Sequence, residues 1–292
     1  MDGALIIDKP AGWTSHDVVA RARRICQERS IGHLGTLDPA ATGVLPLLVG
    51  RLTRLAQFFN NREKEYRATL RFGFATDTYD ATGVSTGPSA ANLPGRQAVE
   101  AVLPRFRGSI EQLPPQFSAK KVDGVPAYKH ARAGKTVTLA PVRVEIREFE
   151  LLALTGPDLE FRVTCSSGTY VRALAHDLGA ALGVGAHLVQ LQRTRVGEFS
   201  LAQSHTLDAL ADLAAAGQLA RALLSPIALV PEMPAVVALP DAVSRLRHGQ
   251  AVNLPDFSPV SHIRVFTSDG HLLAIARRVA GTLFQPQTVL RS

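Results

Sequence analysis

Only two cysteines, Cys26 and Cys165, occur in 292 residues, too few for a disulfide framework or a cysteine metal cluster. Both sit in apolar patterns and read as reduced core thiols. The nine histidines form no paired ligand motif such as HExxH. Also missing are a phosphate-cradling Gly-Lys-Ser/Thr loop and a dinucleotide fingerprint, and Ser166-Ser167-Gly168 lacks the nucleophile-elbow pattern. These absences point away from metals, nucleotide cofactors and redox chemistry. No apolar run is long enough to span a bilayer, and Met1-Asp2-Gly3 leads straight into the strand-like run Ala4–Ile7 without a signal peptide. A cytosolic protein without membrane partners is expected. Aromatic residues make up 6% of the chain, so base stacking would fall to single side chains rather than a platform. Acidic residues are outnumbered, 25 against 32 Lys and Arg, and the net charge of +7 favours a polyanionic partner such as nucleic acid. Hydrophobic residues, at 46%, suffice for a globular core, and the length allows one large domain and a small one.

What is present reads as a mixed α+β chain. After Ala4–Ile7 and the turn Asp8–Gly12, Ser15 is the expected N-cap of a helix with apolar Val18, Val19, Ala22, Ile25 and Cys26 on one face. Arg21, Arg23, Arg24 and Arg29 lie off that stripe and form a basic face. Val44–Val49 reads as a buried strand, Leu52–Phe59 as a short helix, and Tyr66–Phe74 as a strand with period-two alternation. Arg96–Phe106 is expected to be helical, Val142–Phe149 and Leu159–Cys165 to be strands, and Val171–Leu182 and Leu207–Leu224 to be helical. A proline-rich basic stretch near 114–140 has the makeup of an exposed insertion. Prolines cluster at 226, 231 and 234, the best linker candidate. The short strands and turns beyond it read as a small β-barrel, dividing the chain into 1–230 and 231–292.

Asp38 stands out within Gly32-His33-Leu34-Gly35-Thr36-Leu37-Asp38-Pro39-Ala40-Ala41-Thr42-Gly43. Pro39 pushes Asp38 toward extended backbone and so aims its carboxylate. Gly32, Gly35 and Gly43 leave room for a sharp bend or a close approach. An aimed carboxylate can serve as nucleophile or general base, and the same composition also makes an ordinary turn.

Several motifs in order carry a resemblance: Asp8-Lys9-Pro10-Ala11-Gly12-Trp13-Thr14-Ser15, the Asp38 segment, Glu63-Lys64-Glu65-Tyr66, Pro114–Lys121, Gly168-Thr169-Tyr170-Val171-Arg172 and Leu191–Gly197. Together they resemble the bacterial TruB family of tRNA pseudouridine synthases across the whole larger domain. The resemblance implies a mixed, mainly antiparallel sheet flanked by helices, with a PUA-like RNA-binding barrel at the C-terminus. It also implies isomerisation of uridine 55 in the tRNA T-loop without cofactor, metal or guide RNA, by a monomer. In that chemistry the C1′–N1 bond breaks, the uracil turns and C5 bonds to C1′. Asp38 is then the essential residue, adding to the base, attacking C1′ or removing the C2′ proton. All three routes need an ionised carboxylate, and Arg172 is the implied counter-ion. The uridine must leave its stack. Tyr66 is implied to stack on it, Tyr170 to close the other wall and assist the proton at C5, Leu191 to contact the base, and His33 to fill the vacated space.

Phosphate contacts are expected from among Arg21, Arg24, Lys120, Lys121, Lys129, Arg132, Arg193 and Arg195. Phe117 stands where a tyrosine is common in the family, a departure that touches packing. Two other readings fit the residues less well. One is an RNA-binding protein acting mainly on RNA folding; the other is a guide-dependent relative of the dyskerin type. A two-carboxylate glycosidase lacks its second motif-borne acid.

Overall fold

The computed structural model describes residues 1–290 except Ala119, Asp123, Gly134 and Thr136; the side chains of Lys121, Pro126 and Arg132 also lie outside the described set. The chain opens with β1 (Gly3–Lys9), whose run Ala4–Ile7 is buried on both faces, and continues into α1 (Ser15–Cys26). Thr14, not Ser15, caps this helix. Its hydroxyl accepts from the Asp17 amide at 3.1 Å while Asp17 accepts from the Thr14 amide at 2.9 Å, a reciprocal capping box. Ser15 is buried instead, and its Oγ accepts from the Leu37 amide at 2.9 Å, tying the helix to the Asp38 segment.

Next come β2 (Ile31–His33), β3 (Thr42–Val49), a 3₁₀ helix over Gly50–Phe59, β4 (Lys64–Phe72), α2 (Arg96–Val102) and β5 (Gly108–Gln112). The stretch near 114–140 holds the two-residue strands β6 (Lys121–Val122) and β7 (Val125–Pro126) and the short helix α3 (Ala127–Arg132). The larger unit is completed by β8 (Val142–Thr155), β9 (Asp158–Cys165), α4 (Val171–Ala181), β10 (Ala186–Val196), β11 (Phe199–Ser200) and α5 (Leu207–Ala215). Its nine-stranded sheet runs β1-β3-β10-β4-β9-β8-β5, with β2 beside β3 and β11 beside β10. The pairing is antiparallel except where β10 runs parallel to β3 at Thr42 and Gly43, the mixed, mainly antiparallel sheet that was expected. In β4, Tyr66, Ala68, Leu70 and Phe72 point to the core, as the alternation predicts. β10 has no such legible pattern, because one of its inward residues is Arg193, with no exposed surface.

The C-terminal part contains β12 (Ala235–Val237), the unanticipated helix α6 (Pro240–Arg247), β13 (Val252–Asn253), β14 (His262–Phe266), β15 (Leu272–Ala280) and β16 (Leu283–Val289). The expected small barrel takes the form of an open half-barrel, ordered β12-β14-β15-β16-β13. It packs on the larger unit. Phe266, Leu272, Ile275 and Leu290 share a core with Ile6, Leu48, Leu55 and Phe199. Within the proline-rich segment between the units, Leu229 and Val230 are fully buried, and Arg264 donates to the carbonyls of Ile227, Leu229 and Met233. Among the described residues no helix is long and apolar enough to cross a membrane, and no cluster of His, Cys, Asp and Glu could hold a metal ion.

Candidate active site

Asp38 sits on a turn between β2 and β3, closed by the Ala41 amide donating to the Asp38 carbonyl at 3.1 Å. Both flanks of the turn are fastened. Leu37 is held by Ser15, and the Pro39 carbonyl accepts from the Gly12 amide at 2.8 Å and from Lys9 Nζ at 3.1 Å. Lys9 has no exposed surface, and its ammonium also donates to the carbonyls of Pro10 at 2.9 Å and Trp13 at 2.6 Å. Burial lowers the Lys9 pKa to about 8 against the opposing pull of Asp38. A single ammonium thus clips the segment Pro10–Trp13 to the Asp38 turn. Gly43 ends the turn at φ +99, and a Cβ there would lie 2.2 Å from the Arg193 carbonyl oxygen. The close approach is by β10 rather than by a substrate. Gly35 has φ +100, whereas Gly32 has neither a positive φ nor a neighbour within 4 Å, so only two of the three glycines answer a backbone demand.

The carboxylate meets Arg172, in the first turn of α4. Arg172 Nε lies 2.9 Å from Asp38 Oδ2, and Nη2 donates to Oδ1 at 3.3 Å. The other face of the guanidinium is fully engaged as well. Nη1 donates to the Thr78 carbonyl at 3.1 Å and to Asp80 at 3.4 Å, and Nη2 donates to the Phe117 carbonyl at 2.9 Å. Asp80 is in turn held by the Thr78 hydroxyl at 2.8 Å and the Thr82 amide at 3.0 Å. Its loop bridges to β10 at Leu188. The motif's arginine therefore serves two carboxylates, and Asp80 lies outside every motif of the sequence. The Arg172 side chain is 8% exposed and that of Asp38 43%, so the acid still faces solvent while its partner is enclosed. Burial raises the Asp38 pKa above its ordinary value, with Asp80 adding to the rise and Arg172 and Lys9 opposing it. The expected counter-ion is present, yet enclosure by protein outweighs it.

Asp38 opens into a cleft of about 260 Å³ that also takes in Lys64, Tyr66, Ser118, Tyr170, Arg172 and Leu191. Tyr66 is 6% exposed on β4, Leu191 faces in from the neighbouring β10, and Tyr170 stands at the N-cap of α4. The backbone of Tyr170 is fixed by Gln112, which accepts from its amide at 3.0 Å and donates to its carbonyl at 3.3 Å. Burial raises the pKa of both tyrosines; Arg193 opposes this at Tyr66, and a bond to Ser118 opposes it at Tyr170. Lys64 is buried in the cleft wall, donates to the Arg62 carbonyl at 3.1 Å and is lowered to about 8 by burial and Arg193. Its place on the buried parity of β4 was legible, but its charge was not read as part of a site.

Residues 23–171 match the TruB family pseudouridylate synthase (N terminal domain), and residues 172–229 match the tRNA pseudouridylate synthase B C-terminal domain. The chain is 45% identical to the tRNA pseudouridine synthase B of Solibacter usitatus, over 99% of this chain and all of that protein. It is 43% identical to the protein of that name from Burkholderia mallei, over 99% and 97% of the two chains. The chain belongs to the TruB family. Among solved structures, it superposes on a Cbf5-Nop10-Gar1 complex with a TM-score of 0.75 and 28% identity, covering 99% of this chain and 85% of that one. An archaeal box H/ACA sRNP Nop10-Cbf5 complex gives 0.73 and 26% over 99% and 86%.

Five of the six residues singled out in this TruB-family chain converge on the cleft: Asp38, Tyr66, Tyr170, Arg172 and Leu191. His33 does not. It lies on β2 opposite Leu47, outside the cleft lining, with burial, Arg193 and His16 lowering its pKa and no partner for Nδ1 among the described residues. The basic pool also divides. Arg193 is fully buried, donating to the carbonyls of Val44, Gly35 and Thr36, so it is an internal brace and not a phosphate contact. Arg195 pairs with Glu63 at 2.9 Å. Arg21, Arg24, Lys120 and Lys129 are exposed, while the side chains of Lys121 and Arg132 lie outside the described residues.

Proposed function

We propose that this chain isomerises uridine to pseudouridine in tRNA, at position 55 of the T-loop, as a stand-alone cytoplasmic monomer needing neither cofactor, metal nor guide RNA. The observation that carries the reading is the Asp38–Arg172 ion pair at the mouth of a cleft walled by Tyr66, Tyr170 and Leu191. The cleft suits one unstacked base, with the sugar of that nucleotide beside Asp38. The C1′–N1 bond breaks and a C1′–C5 bond forms; C5 loses its proton to solvent and N1 gains one. Substrate and product are isomers, so no electron or group has to be supplied. Arg172 fixes two edges of the carboxylate, leaving its remaining lone pairs to the sugar. A carboxylate whose pKa is raised is also a stronger base than an ordinary one. Tyr66 and Tyr170 take the two sides of the uracil ring, and Leu191 packs on its edge. The larger unit, about residues 1–230, carries the chemistry, and the PUA-like unit, 231–292, adds RNA contacts. His33 keeps its proposed place against the RNA outside the cleft.

A role mainly in RNA folding is not favoured, since a folding surface has no use for an enclosed arginine between two carboxylates. The test is tritium release from an unmodified tRNA transcript labelled at uridine C5, with chelator and without guide RNA. Release by the purified chain is expected; none would refute the stand-alone reading.

A further inference from the structure

A second and larger cleft, about 780 Å³, shares no lining residue with the Asp38 cleft and is not used in the chemistry above. Its lining includes Trp13, Arg21 and Arg24 together with Asp8, Asp208 and Lys9. Trp13 is the single tryptophan of the chain and is 39% exposed, unusual for so large an apolar ring. Arg21 and Arg24 are three residues apart on α1 and so project side by side. Both are exposed, and neither has a hydrogen-bond or ion-pair partner among the described residues. Most other arginines near the site are engaged: Arg62, Arg67, Arg71, Arg172 and Arg195 all have carboxylate partners.

We propose that this cleft is a second RNA subsite, holding a single-stranded nucleotide of the same RNA whose target uridine enters the Asp38 cleft. The proposal rests on the RNA-modifying reading and adds a place where that RNA is gripped. Each component matches a part of a nucleotide. The indole offers a stacking face, and the two guanidiniums offer phosphate contacts. The carboxylates of Asp8 and Asp208 accept from the amino groups of a base edge, which favours a base with an exocyclic amine over uracil. Its position supplies the link to the first site. The Trp13 and Pro10 carbonyls share the Lys9 ammonium with the Pro39 carbonyl, and Thr42 on the turn pairs with Gln192, next to Leu191. A nucleotide seated on Trp13 is therefore joined to the Asp38 turn through the Lys9 ammonium.

Trp13 is its own reporter. Titrating the full-length chain with an unmodified T-stem-loop hairpin should quench its emission and shield it from acrylamide. Trp13→Ala should weaken hairpin binding roughly tenfold, with Trp13→Phe recovering most of it. The double variant Arg21→Gln, Arg24→Gln should lower the slope of log K against log salt by about two, whereas Arg96→Gln, on a helix away from both clefts, should leave it unchanged. Far-UV circular dichroism checks that each variant is folded. Emission that stays constant while the hairpin binds, or an unaltered salt slope in the double variant, overturns the subsite. If the wild-type chain releases tritium and these variants match it in binding, only the subsite falls. If it releases none, the RNA-modifying reading falls, and the fluorescence titration still decides whether RNA occupies this cleft; failure of the hairpin to bind at all overturns it.

Discussion

Arg172→Lys keeps the charge beside Asp38 and removes the geometry. The guanidinium makes two contacts to Asp38 and further ones to Asp80 and to the carbonyls of Thr78 and Phe117. A lysine has three N–H donors on one nitrogen and cannot span these groups, so Asp38 keeps at most one directed bond. Each charge-assisted bond is worth about 1.5–3 kcal/mol when enclosed. Asp38 is 43% exposed and water replaces part of the loss, leaving roughly 2–3 kcal/mol of carboxylate orientation to be forfeited. At about 1.4 kcal/mol per tenfold, the single-turnover rate of tritium release should fall roughly 30- to 150-fold with enzyme in excess over labelled tRNA. Arg172→Met should lose more. It should also move the acid limb of the rate profile upward, because Arg172 is the strongest influence lowering the Asp38 pKa. The limb itself reflects loss of the carboxylate as pH falls through a pKa already above the ordinary value. An Arg172→Lys rate within threefold of wild type, or an acid limb moving down in Arg172→Met, would show that the ion pair does not organise the site.

Asp38→Asn should abolish tritium release while tRNA binding, followed by filter retention, stays within a few-fold, because the exposed basic side chains Arg21, Arg24, Lys120 and Lys129 are untouched. Gly43→Ala should cost on the order of 3–5 kcal/mol in urea unfolding, combining a positive φ with a clash at the Arg193 backbone; a loss under 1 kcal/mol would contradict the crowding of β3 against β10. Asp177 lies on α4, and burial pushes its pKa up to about 6. Its folded pKa exceeds the unfolded one, so ionisation is disfavoured by folding: no penalty below about pH 4, a rising one through pH 6, and a constant one above. Discounted for partial exposure, Asp177→Asn should gain roughly 1–2 kcal/mol at pH 7.5 and much less at pH 4.5, and an equal gain at both values would refute the assignment to charge.

Periodicity made β4 and α4 legible because their inward positions are largely apolar. It failed at β10, the centre of the sheet, where the buried side of the strand includes a charged Arg193 satisfied by carbonyls of β3 and of the segment before Asp38. The cap of α1 was displaced by one residue for a related reason: Ser15 had a tertiary partner in Leu37, leaving Thr14 to close the helix. Motif resemblance, without any geometry, gathered five residues that the fold brings to one cleft. It overlooked Asp80 and Lys9, whose functions exist only through what they touch. His33, given the separate place vacated by the base, lies outside the cleft lining.

By itself, then, the order of residues determined a basic α+β chain with one aimed carboxylate and the aromatic and cationic residues that gather near it. Composition and local pattern suffice for that, because they report what each residue can do. Tertiary structure alone decided which cations face solvent and which are spent inside. Arg172 and Arg193 are enclosed, Arg21 and Arg24 are exposed and without a partner among the described residues, and nothing in their side chains distinguishes them. It also decided the pKa of Asp38, which burial raises against its own counter-ion. Both follow from desolvation and distance, which depend on what the fold brings together from far apart in the chain.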